Sequence, residues 1–196
     1  ARLACVTKGR MLVLFTSYRM MKECARIMTP ILKKAKVRLL MQGAGESRER
    51  ITAMFREDRP SVLFGTDSFW EGVDLIGEAL SCLVIARLPF DAVNDPIVSA
   101  RSERVVEQGG SAFHDFAMPN AIIKFRQGFG RLIRHNEDRG VVVVADQRIV
   151  TKNYGASFRK NLPAELLRYN DEEGLLDAVA GFLGSVAEKL ETGWRH

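Results

Sequence analysis

Short runs of nearly uninterrupted apolar residues, at 11–15, 61–64, 82–86 and 141–145, constrain this chain more than any other feature. Each is too short for a helix, and none alternates polar with apolar residues, so each reads as a strand, 11–15 as one buried on both faces. Residues 38–41 make a further strand. Between them lie stretches with helical character. Residues 18–35 form one, with Pro30 as a kink or break, and another follows the Gln42-Gly-Ala-Gly-Glu46 loop, capped by Ser47. Residues 1–8 read as the last turns of a helix from a preceding segment, stopped by Gly9. Residues 172–190 read as an amphipathic helix with Leu175, Val179, Phe182, Leu183, Val186 and Leu190 on its buried side. Strands alternating with helices predict an α/β fold of three layers, a mostly parallel sheet with helices on both faces. With 196 residues and 46% hydrophobic content, one domain with a real core is expected, residues 1–9 being a tail of what precedes and 164–196 a helical extension.

In an open sheet of this kind, ligands gather at the carboxyl ends of the strands. That rule places Thr16 and Ser17, Gln42 and Gly43, Gly65 to Asp74, Arg87 to Phe90 and Asp146 to Arg148 on one edge. A second polar group lies on a helix that starts near Pro119. At about 100° per residue, Gln127, Arg131 and Arg134 share one side of it, opposite Ile122, Phe125, Phe129 and Ile133. Arginine forks suit phosphate oxygens, and Gly130 removes a side chain beside them. A solvated basic face is the alternative reading of that helix.

The charge of +5 and pI near 9.3 favour anionic partners without requiring them. Cys5, Cys24 and Cys82 show no C-x-x-C spacing, so neither a disulfide framework nor a zinc site is expected, and a cytoplasmic protein fits best. His114 and His135 lack acidic or cysteine partners at metal-ligand spacing. No apolar run approaches membrane-spanning length, and no membrane association is expected. The chain starts at Ala1, as an excised or processed piece would.

Four segments in order resemble a known family. Gln127-x-x-Gly130-Arg131-x-x-Arg134 is similar to helicase motif VI, and Gly65-Thr66-Asp67-Ser-Phe-Trp70-Glu71-Gly72-Val73-Asp74 to motif V, in the form used by the DinG/XPD branch of superfamily 2 helicases. Leu12-Val-Leu-Phe15-Thr16-Ser17 resembles motif IV, and Arg87-Leu-Pro89-Phe90 with Asp95-Pro96 resembles the segment between motifs V and VI. The resemblance runs from about residue 10 to residue 163 and implies the second RecA-like motor domain of an ATP-dependent DNA helicase moving 5′ to 3′. The sequence contains no G-x-x-x-x-G-K-[ST] phosphate loop and no acidic tetrad after an apolar strand. The resemblance therefore implies that the phosphate loop, the Mg²⁺ site and any iron–sulfur cluster lie in the first motor domain of the same polypeptide, and that this chain alone is inactive.

It further implies roles for individual residues. Arg134 resembles the arginine finger, Arg131 a second phosphate-side or cleft-bracing arginine, and Gln127 a residue at the γ-phosphate or the attacking water. Glu71, Gly72, Asp74 and Gly130 fall at ATP-contacting positions. Ser17, Gln42, Gly65 and Thr66 fall along a single-stranded DNA track. Asp74 could instead form a structural ion pair with a motif VI arginine, and Trp70 is expected in the core. The Asp146-Gln-Arg148 turn and residues 154–163 are expected to be structural, and the protein is expected to be a monomer. A non-catalytic RecA-like binding or adaptor domain is the alternative.

Overall fold

The computed structural model describes residues 1–57, 60–70, 80–133, 139–162 and 166–192, without side-chain placement at 67 and 185–192. The strands are β1 (Met11–Leu14), β2 (Arg38–Met41), β3 (Ser61–Gly65), β4 (Cys82–Ile85) and β5 (Val141–Val144). They form one parallel sheet in the order β2-β3-β1-β4-β5. The chain fills one side of β1 first and then crosses to the other, which creates a switch point at the carboxyl end of β1.

Alternation along the strands sorts the core into two layers. Leu12 and Leu14 of β1 share one face with Leu40, Leu63, Leu83 and Ile85. That face is covered by α3 (Arg48–Glu57) through Ile51 and Phe55, by α6 (Met118–Phe129) through Ala121 and Phe125, and by α8 (Gly155–Lys160) through Phe158. Met11, Val13 and Phe15 face the other way with Val62, Phe64 and Cys82. They pack against Ala4 of α1 (Arg2–Val6) and Met21, Ala25 and Leu32 of α2 (Tyr18–Lys34). At about 1.5–3 kcal/mol for each large side chain buried, these two layers dominate the stability of the domain. Burial also pushes the Cys82 thiol up to about 12.

Two expectations need correcting here. Pro30 lies inside α2 and does not end it. A proline deprives the carbonyl four residues back of its donor, but that carbonyl belongs to exposed Arg26, so water can satisfy it while Met21, Ala25 and Leu32 hold the helix on the sheet. In the last helix, α9 (Glu172–Thr192), Val179 is buried and Leu175 and Leu183 half-buried as expected, but Leu176 is buried as well and Phe182 is exposed, while the Val186 and Leu190 side chains lie outside those described. α9 docks on α1, where Arg2 pairs with Glu172 and Glu173.

After β4 the chain forms α5 (Pro96–Glu107), capped by Asp95, and then a π-helix, Ala112–Ala117, which runs directly into α6. The helix expected from Pro119 thus begins at Met118. It ends at Phe129, with Gly130 as its C-cap, so Arg131 lies in the following turn. The single helical face expected to carry Gln127, Arg131 and Arg134 is therefore not continuous.

Candidate functional site

Because the strands are parallel, the segments that leave β1, β2, β3, β4 and β5 lie along one edge. At β3, Gly65 ends the strand against α4 (Asp67–Trp70), where a Cβ would come within 2.6 Å of the Phe69 Cβ. Glycine is thus demanded at this position by packing. Thr66 follows, 2% exposed, and both its N–H and its hydroxyl donate to Gln42 Oε1, at 2.8 and 3.0 Å. The Gln42 amide nitrogen donates to the Tyr18 hydroxyl at 2.6 Å and to Ser68 Oγ at 2.9 Å. All the donors of this amide are used and its oxygen accepts twice. Gln42 therefore clasps the end of β2 to the starts of α2 and α4. Tyr18 and Ser68 were not singled out from the sequence; the signal available was a tyrosine directly after the helix-capping serine. Ser17 itself is exposed and accepts from the Met20 N–H at 3.3 Å, capping α2.

On the motif VI side, Gln127 is exposed and Arg131 is half-buried. Arg131 Nε donates to the Trp70 carbonyl at 3.1 Å. The Trp70 indole, 1% exposed, donates in turn to the Phe15 carbonyl at 3.2 Å. The turn after α6, α4 and the end of β1 are thus joined in series by two hydrogen bonds. Gly128 permits this: a Cβ there would meet Trp70 Cζ3 at 2.8 Å. At Gly130 the nearest atom to a Cβ is the Gln127 carbonyl oxygen at 3.4 Å, so packing alone does not demand glycine there. Arg134, Glu71, Gly72 and Asp74 lie outside the described residues, as does His135.

The β4 and β5 ends are tied by Asp146. Its carboxylate accepts from the Leu88 N–H at 2.9 Å, the Arg148 N–H at 3.0 Å and the Arg148 guanidinium at 2.6 Å. Burial disfavours the charged carboxylate, but the bonds from Arg148 and from the two backbone N–H groups outweigh it and hold Asp146 below its ordinary range. The same contact, chiefly the hydrogen bond to Asp146, raises Arg148. Arg148 also lies over the Phe90 ring, 5.7 Å from its centroid. Lys124 of α6 pairs with Asp91 and fixes the loop after β4 to the motif VI helix. No group of three or more His, Cys, Asp or Glu that could hold a metal occurs among the described residues.

The edge thus gathers the segments that follow β1, β3 and α6 on a doubly wound parallel sheet. Residues 1–165 match the family model described as the helicase C-terminal domain. The chain belongs to the helicase C-terminal domain family. It is 46% identical over 156 residues to the ATP-dependent DNA helicase YoaA of Haemophilus influenzae, covering 80% of this chain and 24% of that protein. It is 41% identical over 157 residues to the ATP-dependent DNA helicase DinG of Photobacterium profundum, covering 78% and 22%. The Bacillus subtilis relative named 3′-5′ exonuclease DinG is 35% identical over 173 residues, covering 88% and 19%. The chain therefore spans about a quarter or less of the length of these relatives. Among solved structures, an apo XPD chain superposes with a TM-score of 0.60 at 21% identity, over 83% of this chain and 33% of that one. Domain 2 of the DEAD-box helicase Mss116p superposes with a TM-score of 0.51 at 14% identity, over 96% and 65%. The fold of this helicase C-terminal domain is RecA-like. No described helix is long and apolar enough to cross a membrane.

Proposed function

We propose that this chain is the second motor domain of a DinG/YoaA-type ATP-dependent DNA helicase that acts as a monomer and moves 5′ to 3′. The observation that carries the reading is the series Arg131–Trp70–Phe15, which links the motif VI turn to the ends of β3 and β1. A bond chain of this kind gives a charge change at the phosphates a route to the strand-binding edge. In this reading the first motor domain of the same polypeptide supplies the phosphate loop and holds Mg²⁺. ATP binds between the two halves, with Glu71, Gly72, Asp74 and Gly130 at its surface here. Arg134 reaches the γ-phosphate as the finger, Gln127 orients the attacking water, and Arg131 braces the turn that carries Arg134. Fixed positive charge is worth most where phosphoryl charge develops in a closed, dry cleft. Exposed Ser17 lines the single-stranded DNA track, while Gly65 and Thr66, buried at the end of β3 with Gln42 holding Thr66 in place, shape the edge beneath it. Opening and closing of the cleft then moves the strand.

The test uses the full-length polypeptide. Arg134→Ala lowers DNA-stimulated kcat by about 10³-fold or more, leaving nucleotide-free DNA binding and the melting temperature near wild type. Near-wild-type turnover would remove the finger assignment and favour a non-catalytic adaptor domain. The 196-residue chain alone is expected to give no ATP turnover with single-stranded DNA. Turnover by the pure chain would mean a complete nucleotide site within it.

A further inference from the structure

The ends of β4 and β5 enclose a recess of about 600 Å³ lined by Arg87, Ala145, Asp146, Gln147 and Arg148. None of these residues belongs to the motif IV, V or VI segments. The one carboxylate among them is spent: Asp146 is 8% exposed, and its oxygens already accept from Leu88 and Arg148. Arg148 is correspondingly pinned, with its charge answered by Asp146. Arg87 differs. It is exposed, and its guanidinium has no hydrogen bond or ion pair with any described residue. The Gln147 side chain is likewise exposed and without a partner among the described residues. The recess therefore carries one uncompensated positive charge and a spare amide over a floor that is rigid because Asp146 ties both strands together.

Register fixes where this recess sits. Leu14 pairs with Ile85 and Ile85 with Val144, and the ladder continues through the Ala86 N–H to Leu14 O and the Ala145 N–H to Ile85 O. Arg87 is thus the next residue out on the strand adjacent to β1, whose end carries Ser17. Neighbouring strands are about 4.8 Å apart, so the recess continues the edge that holds Ser17 and Thr66 by one to two strand spacings. We propose that it is a phosphate-binding site for a single nucleic-acid strand, in which the Arg87 fork grips one backbone phosphate, Gln147 donates to it, and Asp146 acts by positioning Arg148 and the Leu88 turn. The proposal rests on the DNA-binding reading and lengthens that track across β4 and β5. A planar guanidinium with no partner suits a phosphodiester, which exposes two oxygens to a bidentate donor.

The same chemistry would hold a phosphate of free nucleotide, so the experiment separates the two. A fluorescein-labelled oligothymidylate is titrated into this chain at about 50 and about 200 mM salt, and Mg²⁺–ATP is titrated separately. Arg87→Ala is expected to weaken oligonucleotide binding several-fold at the lower salt and to flatten the slope of log K against log salt by about 0.7, the value for one phosphate contact on a single strand. Arg87→Lys keeps the slope. Gln147→Ala weakens binding and leaves the slope unchanged, and Arg101→Ala on exposed α5 changes neither quantity. Melting curves check folding, with Arg87→Gln as the second variant should alanine perturb it. An unchanged slope in both Arg87→Ala and Arg87→Gln overturns the proposal, as does an equal loss in Arg101→Ala. Loss of ATP binding with oligonucleotide binding intact assigns the recess to nucleotide and overturns it too. A wild-type chain that binds no oligonucleotide at either salt overturns the DNA reading as a whole, whereas wild-type binding that is indifferent to Arg87 overturns only this inference.

Discussion

Arg131 Nε donates to the carbonyl oxygen of Trp70, the last residue of α4, at 3.1 Å. The bond ties the turn that follows α6 to α4. Arg131→Ala is expected to cost about 1 kcal/mol, which for a domain of this size lowers the melting temperature by about 2–4 °C. Lysine should not restore it, since the bond runs from the guanidinium Nε, which lysine lacks. Thermal melts of the two variants are the measurement; unchanged melting in Arg131→Ala would mean that the bond does not brace the motif VI turn.

Gln42 holds Thr66 through one oxygen that accepts twice. Gln42→Ala should destabilise by about 1–3 kcal/mol, because the Thr66 N–H is left buried without an acceptor. Gln42→Glu keeps that acceptor and loses only the donors to Tyr18 and Ser68, so it should cost less. Urea denaturation ranks the two variants, and the opposite ranking would show that the Tyr18 and Ser68 bonds are the important ones.

Gly128 faces the Trp70 ring at a distance that leaves no room for a methyl group. Gly128→Ala should destabilise by about 1–3 kcal/mol through overpacking, even though alanine favours helix more than glycine does. Gly130→Ala has no comparable obstacle and should melt near wild type. Its effect, if the proposed ATP contact holds, appears instead as a raised KM for ATP in the full-length polypeptide. Equal melting temperatures for wild type and Gly128→Ala would contradict the packing account.

Asp146 has a depressed folded-state pKa, so its contribution to stability is present above the unfolded-state value near 4 and disappears as pH falls through the folded value. Asp146→Asn should therefore be about 1–3 kcal/mol less stable than wild type at pH 7, and the gap should close as the pH is taken below about 4. Chemical denaturation at several pH values gives the comparison. A gap independent of pH would mean that shape, not charge, makes Asp146 important.

The apolar runs were enough to place the strands and the class of fold, but not α5 or the π-helix. Each apolar run became a strand within a residue of its expected end; β1 and β3 are buried on both faces, whereas β5, at the edge of the sheet, is only half-buried. Ser47 caps its helix where its side chain and position suggest. The family was legible because the residues that carry the resemblance are local strings, whose order along the chain survives without knowledge of the fold.

Tertiary structure alone decided what these residues touch. That Gln42 spends its amide on Thr66, Tyr18 and Ser68 follows from the order β2-β3-β1, which brings together residues more than twenty positions apart. Helical periodicity put Gln127 and Arg131 on one face, but the helix stops at Phe129, where the turn through Arg131 closes onto Trp70 and Leu132 enters the core. Periodicity describes a helix only while it lasts, and its end is set by what it packs against. Likewise Asp146 and Arg148 read as a polar turn in sequence. Only the pairing of β5 with β4 delivers the Leu88 N–H to that carboxylate and leaves Arg87 beside it with its charge unanswered among the described residues.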